Sequence, residues 1–85
     1  MRKLLFFHAP WCPPCRMCIR EFIEPVEREL PERVQRINVQ EDPFLADRYH
    51  ITRIPAVLVE EDGRVIRQTP GGFEVEEMLE ILKQE

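Results

Sequence analysis

Trp11-Cys12-Pro13-Pro14-Cys15 follows a short apolar run, Leu4-Leu5-Phe6-Phe7, and precedes a stretch with helical periodicity. That order reads as a strand feeding the N-terminus of a helix, with Cys12 at the junction. A thiol placed there meets backbone N–H groups that have no partner inside the helix, and the positive end of the helix dipole. Both favour thiolate over thiol, and the thiolate is the nucleophile of disulfide exchange. Taken alone, the stretch admits two chemistries, dithiol–disulfide exchange or metal binding.

Bulk properties narrow the field. The chain has 85 residues, 44% of them hydrophobic and 33% charged, the make-up of a single soluble globular domain covering 1–85. A net charge of −4 with no Lys/Arg cluster argues against a nucleic-acid partner. No apolar run approaches the roughly 20 residues of a spanning helix, so no membrane is expected. Met1-Arg2-Lys3 before the apolar run imitates the start of a secretory signal. The run stops at His8 and Pro10, short of the roughly 7–15 residues such a signal requires. A buried first strand, a cytoplasmic location and a monomer are expected. Cys12, Cys15 and Cys18 crowd into seven positions, whereas a disulfide-stapled secreted fold spreads its cysteines along the chain.

Working outward, residues 3–7 are apolar without alternation, the mark of a strand buried on both faces. Residues 8–11 form a loop, and a helix starts at Cys12, with Pro13 suited to its first position. Met17, Cys18, Phe22, Ile23, Val26 and Leu30 make its apolar stripe. Pro25 lies inside that stripe and should bend the helix, because it removes the bond to the Glu21 carbonyl. Pro31 ends it. A second strand covers 34–39. Asp42-Pro43 opens a short helix over 43–50, with Phe44, Leu45 and Tyr49 on its buried side. Asp62-Gly63 joins strands 55–60 and 64–68 in an antiparallel hairpin. Pro70-Gly71-Gly72 breaks the chain, and a last helix follows over 73–84, acidic at its start and basic at its end. The order β-α-β-α-β-β-α predicts an α/β fold, a four-stranded mixed sheet with three helices on both faces.

These residues resemble the thioredoxin family. Residues 7–15, Phe-His-Ala-Pro-Trp-Cys-Pro-Pro-Cys, are similar to its active-site segment. Residues 46–55, ending Tyr49-His50-Ile51-Thr52-Arg53-Ile54-Pro55, are similar to its second signature, in which the proline is cis. Gly63 matches the hairpin glycine and Gly71 the glycine that lets a substrate backbone approach. The likeness covers the whole chain apart from the family's extra N-terminal strand and helix, and so resembles a minimal, glutaredoxin-sized thioredoxin fold. Glutaredoxin is the near alternative, because Gly71-Gly72-Phe73 is similar to its glutathione-binding turn. Sixteen positions separate Pro55 from Gly71, which fits the longer thioredoxin hairpin, and Trp11 and Pro14 favour thioredoxin too.

The resemblance implies a protein disulfide reductase needing no cofactor beyond a Cys12–Cys15 redox disulfide. Protein disulfides would be its substrates, with a thioredoxin reductase or glutathione as electron donor. Cys12 is expected to attack and Cys15, a helical turn further in, to resolve. Pro13 and Pro14 remove two N–H donors from the thiolates, which favours a reducing couple. Pro55 is expected against the disulfide, keeping metal away, with Ile54 offering its backbone and Trp11 an apolar platform to substrate. Gly71 completes the expected substrate contacts. Two positions depart from the family. Phe6 stands where thioredoxins bury an aspartate that moves the proton of the resolving cysteine, and His8 replaces an aromatic residue. His8 is expected to be a partly exposed strand-end residue, though its ordinary pKa near neutrality would suit a proton acceptor. Cys18 is expected to be a small core residue. A metal site built from Cys12, Cys15 and Cys18 would need a histidine as fourth ligand, His8 or His50, and a helix points the three thiols in diverging directions.

Overall fold

A computed structural model of the chain describes residues 1–69 and 74–84. Leu4, Phe6, Leu5 and Phe7 explain its architecture, because successive side chains of a strand point to opposite faces. Strand β1, Arg2–His8, sends Leu4 and Phe6 into one buried cluster and Leu5 and Phe7 into another. All four are at most 3% exposed, so both faces of this strand must be covered, as the lack of alternation predicts. Burying side chains of this size contributes about 1.5–3 kcal/mol each.

The larger cluster adds Val57 and Val59 of β3 (Ala56–Glu61). It is covered by Phe22, Ile23 and Val26 from the first helix and by Met78, Leu79 and Leu82 from the last. The smaller cluster joins Ile37 of β2 (Val34–Asn38) and Leu58 to Leu45 and Tyr49 of the middle helical region. The four strands run in the order β2-β1-β3-β4, β4 being Arg64–Thr69. β1 is parallel to β2 and antiparallel to β3, and β3 is antiparallel to β4. The mixed four-stranded sheet with helices on both faces is therefore the observed fold.

The first helix runs as α1 (Pro13–Cys18), a π-helical turn (Ile19–Ile23) and α2 (Glu24–Glu29). Pro25 does not break it. The Glu24 N–H donates to the Ile19 carbonyl, five residues back, and the widened turn accommodates the proline ring and the N–H it lacks. The bend expected at Pro25 is thus expressed one turn earlier, as a change of hydrogen-bond register. A 3-10 turn, Pro31–Arg33, leads into β2.

Helix α3, Pro43–Arg48, is capped by Asp42, whose carboxylate accepts from the Leu45 N–H. It stops two residues before the expected end at His50. The His50 N–H bonds the Asp47 carbonyl and the Ile51 N–H bonds the Ala46 carbonyl, the paired bonds of a Schellman cap. His50 takes the left-handed position with φ of 58°, usually held by glycine, which is why no stop signal stands out in the sequence. Phe44 was expected on the buried side and is 85% exposed instead. At the second helical position it points outward, while Leu45 and Tyr49 pack inward.

The hairpin turn has φ of 50° at Asp62 and 85° at Gly63, the two positive values that a two-residue primed turn demands. Helix α4, Val75–Lys83, ends beside the start of β1. There the Arg2 Nη1 donates to the Ile81 carbonyl at 2.9 Å and the Arg33 Nη1 to the Leu82 carbonyl. Two guanidinium groups thus bond carbonyls of the last helical turn, that of Ile81 also accepting the Gln84 N–H at 3.3 Å. Pro70, Gly71, Gly72 and Phe73 lie outside the described residues, and with them the chain break, the Gly71 contact and the first residue of the last helix as expected.

Candidate active site

The segment after β1 turns back on itself, with the Cys12 N–H bonded to the Ala9 carbonyl at 3.2 Å. Cys12 caps α1 in extended geometry, and the two next residues are prolines without an N–H. The first N–H of the helix is therefore that of Cys15, which is shared between the Cys12 carbonyl at 3.1 Å and the Cys12 Sγ at 3.2 Å. The strand–Cys–helix order predicts such a contact, a sulfur at the helix start receiving an N–H of the first turn. The two sulfurs lie at disulfide distance with Cα atoms 5.2 Å apart. Both cysteines are buried, Cys15 the more deeply, and both belong to the larger core cluster.

Cys18 does not join them. It is a free, half-buried thiol packed against the same cluster. Burial first, then the Glu21 carboxylate, pushes its pKa up, so it is a poorer thiolate than an exposed cysteine. Among the described residues no group of three or more His, Cys, Asp or Glu side chains is placed to hold a metal ion.

The strand register brings the second signature to the same end of the sheet. Phe7 pairs with Ala56, so the residues before Ala56 adjoin the end of β1 and the loop to Cys12. The Ile54–Pro55 bond is cis, and Ile54 packs against the cluster that contains Cys12 and Cys15. Ile54 also shares a shallow cleft of about 210 Å³ with Trp11, Val39, Ala46, Ile51, Thr52 and Arg53. Trp11 is 60% exposed, too open for a core residue. Pro55 faces a second hollow with Arg53, His50 and Gln68. Thr52 and Arg53 line both hollows and carry no motif. Their trace in the sequence is a charge pattern, for residues 50–59 contain an arginine and no carboxylate.

His8 ends β1, its ring stacked on Phe6 with centroids 5.2 Å apart and planes 10° apart. Burial, assisted by the Arg36 guanidinium, pulls its pKa below the ordinary value, and Glu41 opposes this. Arg36 itself is clamped by two bonds to Glu27, at 2.8 and 2.6 Å, and Phe6 pairs with Arg36 across the sheet. The place of the expected acid is thus filled by an apolar ring that carries an imidazole on its face.

Two cysteines a helical turn apart, the outer one hydrogen-bonded at a helix start and both at one end of a mixed sheet, define a thiol–disulfide oxidoreductase. Comparison with known proteins makes that class specific. Residues 2–84 match the Thioredoxin family model, and the chain belongs to the thioredoxin family. It is 37% identical to thioredoxin of Bacillus subtilis over 78 residues, 89% of this chain and 73% of that protein. Against thioredoxin of Listeria monocytogenes the identity is 31%, over 89% of this chain and 75% of the other. Among solved structures it is similar to Fasciola hepatica thioredoxin, with a TM-score of 0.82 and 26% identity over 96% of this chain and 81% of that one. No helix among the described residues is long and apolar enough to cross a membrane.

Proposed function

We propose that residues 1–85 act as one domain, a cytoplasmic protein disulfide reductase in which Cys12 attacks and Cys15 resolves. The observation that carries the assignment of roles is the Cys15 N–H bonded to the Cys12 Sγ, which favours charge on that sulfur alone. The Cys12 thiolate displaces one sulfur of the target disulfide, forming a mixed disulfide and releasing the first target thiolate. Cys15, having given up its proton, then attacks the Cys12 sulfur, closes the Cys12–Cys15 disulfide and releases the second. Two electrons pass to the target, which leaves as a dithiol after taking up two protons. A thioredoxin reductase, the family's usual donor, returns the electrons in preference to glutathione.

Around the dithiol, Trp11 supplies the apolar platform and Ile54 the backbone against which an extended substrate pairs. No loop hydrogen bond of the described residues involves Ile54, which leaves its backbone groups available. In this reading the role of Pro55 is to keep metal from the thiols, and that of Gly71 is to let the substrate backbone approach. Reduction of insulin disulfides tests the roles directly. Cys12→Ser is expected to lose turnover and Cys15→Ser to accumulate a mixed disulfide, whereas full activity in Cys12→Ser overturns the assignment. Parallel turnover with a thioredoxin reductase and with glutathione decides the donor.

A further inference from the structure

The charges around the site are sorted. The segments that build it, residues 8–20 and 50–59, hold Arg16, Arg20, Arg53, His8 and His50 and not one of the chain's 16 acidic residues. Both hollows lined by residues 51–53 follow the same rule, with Arg53 in each, His50 in one, and no carboxylate among the described residues that line them. Three arginines away from these segments meet acids, Arg2 with Glu61, Arg36 with Glu27 and Arg67 with Glu77. Arg53 is exposed and forms no ion pair among the described residues.

In a chain of net charge −4, hollows lined by Arg53 and by no carboxylate among the described residues are positive against a negative background, although Glu41 lies near enough to act on His8. An exposed guanidinium flanked by apolar wall, here Trp11, Ile51 and Ile54, suits a carboxylate on a segment whose other side chains are apolar. The wall 51–53 separates the two hollows. An extended segment crossing that wall would lay side chains into both, which a single small anion would not do.

Building on the reductase reading above, we propose that Arg53 selects target proteins whose disulfide is flanked by aspartate or glutamate. The interaction is a surface ion pair, so its effect is modest and salt-sensitive. It orders substrates by rate without deciding whether reduction happens at all.

Three peptides with one intramolecular cystine, alike except for two flanking Glu, two Gln or two Lys residues, test it. The pre-reduced protein is mixed with each, and the second-order rate of its oxidation is read from the fluorescence of Trp11, the chain's single tryptophan. Two electrons leave the Cys12–Cys15 dithiol and the peptide cystine becomes two thiols, so no donor is needed. In dilute buffer the Glu peptide is expected to react about two to five times faster than the Gln peptide, and the Lys peptide slower than both. Near 1 M salt, where charges are screened beyond about 3 Å, the three rates converge. Arg53→Gln compresses the order and Arg53→Glu reverses it. Arg64→Glu, the same charge change at the distant hairpin turn, preserves the wild-type order and so removes net charge as an explanation. Equal rates for the three peptides, or an order that survives Arg53→Glu, overturn the proposal while leaving the reductase reading intact. Failure of all three to oxidise the reduced protein overturns that reading, and the proposal falls with it.

Discussion

Where β1 begins, charge is spent on structure: Arg2 and Arg33 close the last carbonyls of α4, Arg2 also faces Glu61, and the Met1 amino group meets Asp62 at 3.0 Å. Where β1 ends, a buried pair of cysteines lies beside an exposed tryptophan and an arginine without an acid. The two ends share one strand and one core, yet one is closed and the other open. The contrast shows how a small domain keeps a reactive edge. Carbonyls of the last helical turn and several charges find partners at one end, whereas the exposed Trp11 and Arg53 stand at the other, beside the cysteine-bearing loop.

The contrast breaks most sharply at Cys12. Replacing it by serine should lower insulin reduction by at least about a thousandfold, the scale on which loss of a nucleophile acts. The fold should survive, because serine is a good helix cap and can still accept from the Cys15 N–H. Thermal melting beside the reduced wild type checks this. A matching loss of stability and activity would mean that the open end is as structural as the closed one.

Leu82→Ala attacks the closed end. Leu82 is fully buried against β1 in the larger cluster, and its truncation should cost about 2–5 kcal/mol. In a domain this small, each kcal/mol moves the midpoint by about 4–8 °C. The rate per folded molecule at 25 °C should stay that of the wild type, measured by combining denaturant unfolding with the insulin assay. Arg33→Met is milder, removing a charged donor from the Leu82 and Arg2 carbonyls for about 1–3 kcal/mol, again with turnover retained.

How far each end could be read from residue order follows from how local its causes are. The unalternating 4–7 run required cover on both faces of β1, and both core clusters are present. Cys12, Cys15 and Pro55 were legible because motif and neighbours lie within a few residues. His50 was misread because a histidine fills the left-handed cap where glycine is the usual signal. Phe44 was misread because a short helix leaves too few turns to fix which face is inside. The π-helical turn was legible only in its cause, Pro25, since the chain had more than one way to accommodate the missing N–H. The cleft wall at Thr52 and Arg53 was illegible as a site, because only the register of β1 with β3 carries it beside Trp11.

The smallest effect belongs to His8, at the border between the open site and the core. Its neutral form is favoured in the folded chain by burial against Phe6 and by Arg36, with Glu41 pulling the other way. A histidine whose folded pKa lies below the unfolded value near 6.5 binds its proton more readily in the unfolded chain. Above that value both states are neutral and nothing is lost. As pH falls from about 6.5 toward the folded pKa, unfolding takes up a proton and stability declines. His8→Gln should therefore flatten the melting temperature over this window relative to the wild type, after both are normalised near pH 7.5. Arg36→Gln should do part of the same, by removing the second cause while leaving the first. A direct titration of the His8 ring by NMR orders the three states: lowest in the wild type, higher in Arg36→Gln, highest in the unfolded chain. A wild-type ring that titrates at or above the unfolded value reverses the sign of the slope. It would also place a charged imidazolium, rather than a neutral ring, at the edge of the dithiol.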